Sequence, residues 1–230
     1  SQKYSDELVA FSISSKSLAT TIGTPASPSL TGTFNATDNV LGVYVSGKYA
    51  YVAGYFDGLH IVDISNPATP ALVASFNTTQ ANDVYVSGRY AYLADDTDGL
   101  RIIDISNPAA PIQVSRIDTT DATDIYVSGR YAYVADQAAG LRIIDVANPA
   151  APILVSTVVT TFAQSVYVSG RYAYVADGTP GLRIINISNP SAPTIVGTLD
   201  TSAATGIYVS GKYAYVADGS AGLRVINISN

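Results

Sequence analysis

The side chains that could do chemistry in this sequence are few. Asp83 and Asp124 enter equivalent strands of an internal repeat, and a pair of carboxylates at a defined separation is what glycoside hydrolysis needs. Neither lies in a catalytic motif. The single histidine, His60, has no partner in an evident motif, so we expect it at the surface or rim. The chain contains no cysteine, which excludes a thiol nucleophile and a thiolate metal site. The sequence therefore predicts no catalytic residues and a protein that is not an enzyme, with a glycosidase as the least favoured alternative.

The charge distribution argues against nucleic acid as a partner. A phosphate-binding surface needs clustered positive charge, and the formal net charge of this chain is -6. The longest apolar runs, such as 141–146, contain Arg and Asp and are too short to cross a membrane. We therefore expect neither nucleic-acid binding nor a membrane span. The basic residues instead recur once per repeat, at Lys48, Arg89, Arg130, Arg171 and Lys212.

A repeat of 41 residues organises the chain, with copies that begin at Gly47, Gly88, Gly129, Gly170 and Gly211. In the third copy, β-branched and aromatic runs bounded by Gly, Pro and Asn predict strands at 124–128, 131–135, 141–146 and 153–159. Both faces of these strands are apolar, as expected of sheets that are covered on both sides by neighbouring sheets. Four-stranded units of this length are the blades of a β-propeller.

The strand count predicts five blades. Residues 29–35 match the fourth strand of a repeat, four complete sets follow, and the last set ends in its third strand at 223–228. We expect an all-β, five-bladed propeller in which the N-terminal strand 29–35 completes the last blade as its outer strand. The predicted domains are an arm at 1–28 and a single propeller at 29–230.

The segments Leu-Arg-Ile-Ile-Asp-Ile at 100–105 and Leu-His-Ile-Val-Asp-Ile at 59–64 resemble the LVIVD repeat of bacterial and archaeal surface proteins, which is assigned to β-propellers. The resemblance implies a propeller fold and an exported or cell-surface location, and it implies no catalytic residues. The chain also lacks methionine, which predicts that Ser1 follows a cleaved signal peptide or an artificial boundary.

One pair of positions changes together between the copies. Where the first copy has Gly54 and His60, the other four have Asp at the end of the second strand and Arg six residues later. We expect ion pairs of the exposed kind, which contribute about 0.2–1 kcal/mol each. This pairing weakens the alternative of an aspartate ring that binds a cation, and we predict no metal site and no cofactor. The predicted pairs are Asp95/Arg101, Asp136/Arg142, Asp177/Arg183 and Asp218/Arg224.

Differences between the copies concentrate in two sets of loops, those between second and third strands and those between fourth and first strands. Because successive strands alternate in direction, both sets leave the ring on one face. Binding residues are found disproportionately on loops that a rigid scaffold positions, although relaxed loops also drift. The predicted contact residues for a protein or glycan surface are Tyr55, Phe56, Asp57, Asp96, Asp98, Gln137 and Phe162.

The leading hypothesis is a non-catalytic, extracellular or cell-surface module for binding or adhesion. The alternative is a structural subunit of a surface layer or filament. It rests on an apolar strand at 8–13, which the strand count does not require and which could pair with a sheet edge of the same or another copy. Its assembly residues would be Leu8, Val9, Phe11 and Ile13.

Overall fold

The computed structural model describes residues 29–229 and the backbone of one strand before them, Glu7–Val9. In this part of the chain the regular structure is β-strand, apart from a 3-10 turn at Gly219–Ala221. The strands form an N-terminal pair followed by five antiparallel sheets in chain order, which we number 1 to 5. Sheets 1 to 4 have four strands each and sheet 5 has three.

The strands have the following bounds. The N-terminal pair contains β1 (Glu7–Val9) and β2 (Thr33–Asn35). Sheet 1 contains β3 (Gly42–Ser46), β4 (Tyr49–Gly54), β5 (Gly58–Asp63) and β6 (Ala71–Phe76). Sheet 2 contains β7 (Asp83–Ser87), β8 (Tyr90–Ala94), β9 (Leu100–Asp104) and β10 (Ile112–Ile117). Sheet 3 contains β11 (Asp124–Ser128), β12 (Tyr131–Asp136), β13 (Gly140–Asp145) and β14 (Ile153–Val158). Sheet 4 contains β15 (Ser165–Ser169), β16 (Tyr172–Ala176), β17 (Leu182–Asn186) and β18 (Thr194–Leu199). Sheet 5 contains β19 (Ala204–Ser210), β20 (Tyr213–Asp218) and β21 (Leu223–Asn227).

Sheet 3 confirms the strand pattern predicted for the third copy to within one residue at each end. Its first hairpin turns over two residues, and Gly129 takes a positive φ of 60° there. A two-residue hairpin with Gly in its first position matches the right-handed twist of the flanking strands. The repeated Ser-Gly pair is therefore a turn signal.

The hydrophobic core consists of layers between successive sheets. Leu59 and Ile61 of sheet 1 pack against Val84 and Val86 of sheet 2, and all four side chains are buried. The first strands of neighbouring sheets lie side by side, and one tyrosine from each joins a continuous stack whose adjacent ring centroids are 4.7–5.1 Å apart. Each sheet is therefore apolar on both faces because it serves two layers. The stacked tyrosines are Tyr44, Tyr85, Tyr126, Tyr167 and Tyr208.

The predicted clasp between residues 29–35 and the last sheet is wrong, because β2 pairs with β1 and not with β21. Leu8 lies opposite Phe34 in this pair, just as Leu59 lies opposite Phe76 in sheet 1. The physical reason is that β1 carries the same third-strand pattern as β21 and offers β2 the same register. Of the strand predicted at 8–13, the structure contains Leu8 and Val9, while Phe11 and Ile13 lie outside the described residues.

Two glycines of sheet 2 allow the fold to be tested. Gly88 and Gly99 both have positive φ, at 59° and 78°, but a Cβ on Gly88 would meet nothing within 4 Å. A Cβ on Gly99 would collide with the backbone of Ile117 and Thr119. We expect Gly88→Ala to lower the free energy of unfolding by about 1–2 kcal/mol for the left-handed backbone. Gly99→Ala should lose about 1–3 kcal/mol more for the overlap. Urea unfolding of both variants measures the difference, and equal losses would contradict the packing described.

Candidate functional site

The two variable loop sets meet on one face of the structure. In sheets 1 to 4, a residue one or two positions after the second strand forms a backbone bridge with an alanine at or just before the first strand of the next sheet. In sheet 1, for example, the Ala81 N–H donates to the Tyr55 carbonyl at 2.8 Å. We call this surface the variable face. Its backbone bridges are Tyr55 to Ala81, Asp96 to Ala122, Gln137 to Ala163 and Gly178 to Ala204.

One buried carboxylate in each of sheets 2 to 5 anchors these loops. Asp136 is fully buried, and it accepts hydrogen bonds from the backbone N–H groups of Thr120 at 2.9 Å and Asp121 at 2.5 Å. Asp177 accepts from Thr161 and Phe162 in the same way, at 2.9 and 2.6 Å. A single side chain at the end of the second strand thus fixes the loop that enters its sheet. In the other two sheets, Asp95 accepts a hydrogen bond from the Gln80 N–H and Asp218 accepts one from the Ala203 N–H.

The same four carboxylates form the ion pairs expected from the sequence, but the pairs are not exposed. Every Asp side chain is fully buried, and the Arg101, Arg142 and Arg183 side chains are only 13–18% exposed. The last pair is more open, because the Arg224 side chain is 50% exposed. Removing one partner of a buried pair leaves an uncompensated charge and is strongly destabilising. These pairs therefore have a larger structural role than the sequence suggested. The pairs are Arg101/Asp95, Arg142/Asp136, Arg183/Asp177 and Arg224/Asp218.

The carboxylate of sheet 5 shows how strongly the loop favours its charged form. The pKa of Asp218 falls to about 2, chiefly because the Ala203 N–H donates to it, with Thr201 and Arg224 adding to the effect. Hydrogen bonds to the charged form of a carboxylate lower its pKa in this way. The backbone of the loop therefore lowers the pKa of Asp218 more than the arginine does.

Sheet 1 replaces this arrangement with a buried histidine. His60 is 7% exposed, against the expectation of a surface or rim position. Its Nδ1 lies 2.8 Å from the Ser75 hydroxyl, and its Nε2 lies 3.6 Å from Asp57. A Cβ on Gly54 would come within 2.9 Å of the imidazole ring. The paired change of Asp and Arg to Gly and His in the first copy is therefore steric, because the ring fills the space that an Asp side chain occupies elsewhere.

The loop of sheet 1 carries two aromatic residues, Tyr55, which is half-buried, and Phe56, which is exposed. The Phe56 N–H donates to Asp38 at 3.1 Å, so the carboxylate here comes from the other loop. Tyr55 has a positive φ of 34°, and its ring centroid lies 4.3 Å from that of Phe56. The Phe56 side chain is 61% exposed. Asp57 is held by Thr37 and His60. Two aromatic rings are thus presented together at one end of the variable face.

Asp96, Asp121 and Gln137 form a polar cluster in the middle of the variable face. The pKa of Asp121 rises to about 6, first because it is partly buried and then because it hydrogen-bonds to Asp96 and lies near the charges of Asp96 and Asp136. Gln137 partly offsets the rise through a hydrogen bond. Asp96 and Gln137 have positive φ, at 46° and 33°. Neighbouring carboxyls that resist joint ionisation are a known feature of functional sites.

The remaining predicted contact residues have different surroundings. Asp98 is held by Arg101 and Arg116, at 2.6 and 3.0 Å, and is part of the ion-pair network. Phe162 is 40% exposed and lies over Gly178, where a Cβ would be 3.3 Å from its own. The structure therefore brings Tyr55, Phe56 and Asp57 together and engages Asp98 in ion pairs.

Asp38 and Asp121 are not among the contact residues that the sequence predicted for this face. A usable signal was present, because Gly178 and Gly219 occupy the repeat position of Tyr55, Asp96 and Gln137. A position that is Gly in two copies indicates a backbone with positive φ. The copies that have another residue at this position are therefore expected to have a strained backbone there. The residues that face these positions, including Asp121, could then be predicted as part of the same site.

Asp83 and Asp124, the candidate glycosidase carboxylates, lie next to each other. Burial, and then the charge of Asp124, raises the pKa of Asp83 well above its usual range, and the two groups hydrogen-bond to each other. Each also accepts a backbone N–H from the next sheet, Asp83 from Ile125 at 3.3 Å and Asp124 from Val166 at 2.7 Å. Retaining glycosidases hold their carboxyl groups about 5 Å apart and inverting ones hold them farther apart. This hydrogen-bonded pair is closer than either arrangement.

The chain belongs to the LVIVD repeat family, whose model matches residues 39–78, 79–119, 120–160, 162–201 and 203–230. No curated protein matches the chain. In the part of the chain that the structure describes, no helix is long and apolar enough to cross a membrane.

Solved structures similar to this chain include β-propellers. The Cps50 (Swd1) β-propeller domain of Myceliophteria thermophila is 14% identical with a TM-score of 0.71, and the match covers 86% of this chain and 72% of that one. BamB from Moraxella catarrhalis is 14% identical with a TM-score of 0.64, over 87% of this chain and 62% of that one. A chain of a nidogen/laminin complex is 10% identical with a TM-score of 0.63, over 83% and 76%. The chain thus spans less than two thirds of the length of BamB. These likenesses show the fold, an all-β arrangement of antiparallel sheets that fits a propeller.

The raised pKa of Asp121 gives a pH-dependent prediction. Because its folded pKa, about 6, is above the ordinary value of 3.8, the cost of the charged form is fully present above pH 6 and is relieved as the pH falls towards 3.8. Asp121→Asn should therefore raise the melting temperature at pH 8 by about 2–4 °C. The gain should shrink at pH 4. Calorimetry at both pH values measures it.

Asp118→Asn is the matched control, because that side chain lies in the same loop and is 74% exposed. It should produce no such gain. An Asp121→Asn variant whose melting temperature differs from the parent by the same amount at both pH values would contradict the carboxyl cluster.

Proposed function

We propose that this chain is a non-catalytic, extracellular or cell-surface binding module. Its sheets serve as propeller blades, and the variable face is the contact surface. The observation that carries the proposal is the contact between half-buried Tyr55 and exposed Phe56, a pair that no other copy repeats. Aromatic side chains combine a large apolar area with few rotatable bonds, and they are enriched among the residues that dominate interfaces.

Backbone strain supports a role for this pair beyond folding. Tyr55 occupies a position that two other copies fill with Gly178 and Gly219, and its φ of 34° is one that side chains with a Cβ rarely adopt. Strain of this kind costs on the order of 1–3 kcal/mol and concentrates at functional sites. Glycine would serve the fold better at residue 55. The tyrosine is therefore better explained by what its ring contacts.

The chemistry of the face fits a glycan or a protein surface. The tilted rings of Tyr55 and Phe56 offer an apolar platform, and Asp57, Asp96 and Gln137 on the same face offer acceptors and an amide. The nidogen/laminin complex shows a structural neighbour in contact with another protein. The surface location is supported by the resemblance of the repeats to those of surface proteins.

A structural role in a surface layer or filament is the second candidate. It is less favoured in the form predicted from the sequence, because β1, part of the predicted assembly strand, already pairs with β2 of its own chain. The third candidate, a glycosidase, is disfavoured by the hydrogen-bonded contact between Asp83 and Asp124.

Tyr55→Gly separates binding from folding. It should raise the melting temperature, because Gly relieves the positive φ, and it should abolish binding to the ligand that the intact chain selects. Glycan arrays and immobilised cell-surface proteins provide the screen, with Phe56→Ala as a second variant expected to lose binding without the gain in stability.

Ile112→Ala removes another exposed apolar side chain, 66% exposed on β10 away from the variable face, and is the matched control. It should bind like the parent. Retained binding in both Tyr55→Gly and Phe56→Ala would refute the aromatic pair as the contact.

A further inference from the structure

Each of sheets 1 to 5 holds one basic side chain over a tyrosine ring, at the ends of the strands opposite the variable face. In sheet 2, the Arg89 guanidinium lies 5.2 Å from the centroid of the Tyr90 ring. The equivalent distances in the other sheets are 5.0–5.5 Å. A cation is attracted to the face of an aromatic ring, so the tyrosine fixes the cation in the same place in each sheet. We call this surface the basic face, and its cations are Lys48, Arg89, Arg130, Arg171 and Lys212.

In sheets 1 to 3, an aspartate at the end of the third strand neutralises the cation. Asp104 shows the arrangement in sheet 2. Its Oδ1 accepts the Ser106 N–H at 2.8 Å, and its Oδ2 accepts a hydrogen bond from Arg89 at 2.5 Å. One carboxylate thus serves a backbone donor with one oxygen and the cation with the other. The equivalent pairs in the other two sheets are Lys48/Asp63 and Arg130/Asp145.

Sheets 4 and 5 have asparagine in place of this aspartate. The backbone N–H two residues further on donates to Oδ1 of Asn186 and of Asn227, at 3.0 Å in both. Only the oxygen of a side-chain amide accepts hydrogen bonds, so the Nδ2 donor occupies the place of the carboxylate oxygen that binds the cation in sheets 1 to 3. Arg171 and Lys212 therefore face a second donor. Within residues 29–229, neither cation has a carboxylate at ion-pair distance.

Two donors that face each other without an acceptor form a preformed place for an anion. Arg171 keeps its position without an aspartate, because its guanidinium lies 5.4 Å from the Tyr172 ring centroid, compared with 5.2 and 5.5 Å for Arg89 and Arg130. Arg171 and Lys212 are both exposed and open to a partner. Side chains that are already held in place reduce the entropic cost of binding. A planar guanidinium matches the two oxygens of a carboxylate.

We propose that sheets 4 and 5 bind an acidic peptide segment of a partner protein on the basic face. One Asp or Glu carboxylate of the segment binds Arg171 and Asn186. A second carboxylate binds Lys212 and Asn227. An aspartate side chain is the natural ligand of this place, because sheets 1 to 3 satisfy the same cation with their own aspartate.

The charge of the chain directs such a segment to these two sheets. The formal net charge is -6, so most of the surface repels an acidic partner, and only cations that are not neutralised attract one. The basic face lies at the other ends of the strands from the variable face, because Tyr49 pairs with Asp63 at one end of sheet 1 and Gly54 pairs with Gly58 at the other. The proposed contact is therefore separate from the aromatic pair and goes beyond the function proposed above.

Solution NMR with a hexa-aspartate peptide, blocked at both ends, tests the site. At low salt, the side-chain amide signals of Asn186 and Asn227 and the Nε–H signal of Arg171 should shift with one common dissociation constant. The Nε–H signal of Arg130 should not shift, because Asp145 already occupies its site. Binding should be lost at about 1 M salt, where screening acts within about 3 Å.

Two outcomes of this titration would overturn the proposal. The first is no shift of the Asn186 and Asn227 amides at millimolar peptide, or shifts of equal size at Arg130. The second is binding of an acidic polysaccharide in place of the peptide, which would assign the face to a different class of partner. Tyr55→Gly should bind the peptide like the parent, so this test is independent of the variable face.

Asn186→Asp with Asn227→Asp fills both places with the carboxylate that sheets 1 to 3 have. We expect this double variant to bind the peptide about tenfold more weakly or worse, because like charges now face each other. The fold should be retained, since Asp occupies this position in three other copies. Asn107→Asp with Asn148→Asp is the matched control, because it adds the same charge to the same face in sheets 2 and 3. Equal losses in the two double variants would show general repulsion and would overturn the proposal.

Asp104→Asn tests the site in the opposite direction. The substitution keeps the acceptor for the Ser106 N–H but leaves Arg89 facing an amide, as Arg171 does. A third binding place should result, and the Nε–H signal of Arg89 should shift with peptide in the variant and not in the parent. An Arg89 signal that stays in place while the strand amides show an intact fold would overturn the proposal, because the facing donors would then not create a site.

Discussion

The buried carboxylate at the end of each second strand is the interaction on which the variable face depends. Asp136 and its equivalents accept backbone hydrogen bonds from the loop that enters the sheet and pair with an arginine on the third strand, so one side chain ties that loop to its sheet. A charge in this position would be costly without those partners. Each sheet can therefore vary its loop side chains while the backbone stays in place. Sheet 1 is the exception. There Asp38 accepts the backbone hydrogen bond from Phe56, and His60, which contacts Ser75, occupies the position of the arginine.

The second constraint is that every sheet is apolar on both faces. Inside the structure this makes four equivalent junctions, each burying Leu, Ile and Val side chains between sheets. The same rule leaves apolar surface at both ends of the row, because the first and last sheets each lack one neighbour among the described residues.

Much of the fold could be predicted because the copies repeat the same signals in phase. The strand pattern of sheet 3 follows from apolar runs between Gly, Pro and Asn, and the Asp–Arg pairs follow from residues that change together. The burial of those pairs could not be predicted, because their main partners are backbone N–H groups of a loop that leaves no side-chain pattern. The partner of β2 could not be chosen either. Leu8 and Leu223 head two segments with the same third-strand pattern, and only the three-dimensional structure selects between them.

Hydrogen exchange on Asp136→Ala tests most directly whether one carboxylate anchors the variable face. The substitution removes the acceptor of the Thr120 and Asp121 amides and the partner of Arg142, but it removes no backbone hydrogen bond between the strands of sheet 3. We predict that these two amides lose their protection while the amides of β11, β12 and β13 keep theirs. Unchanged protection of Thr120 and Asp121 would contradict the account, because it would show that the loop is held without the carboxylate.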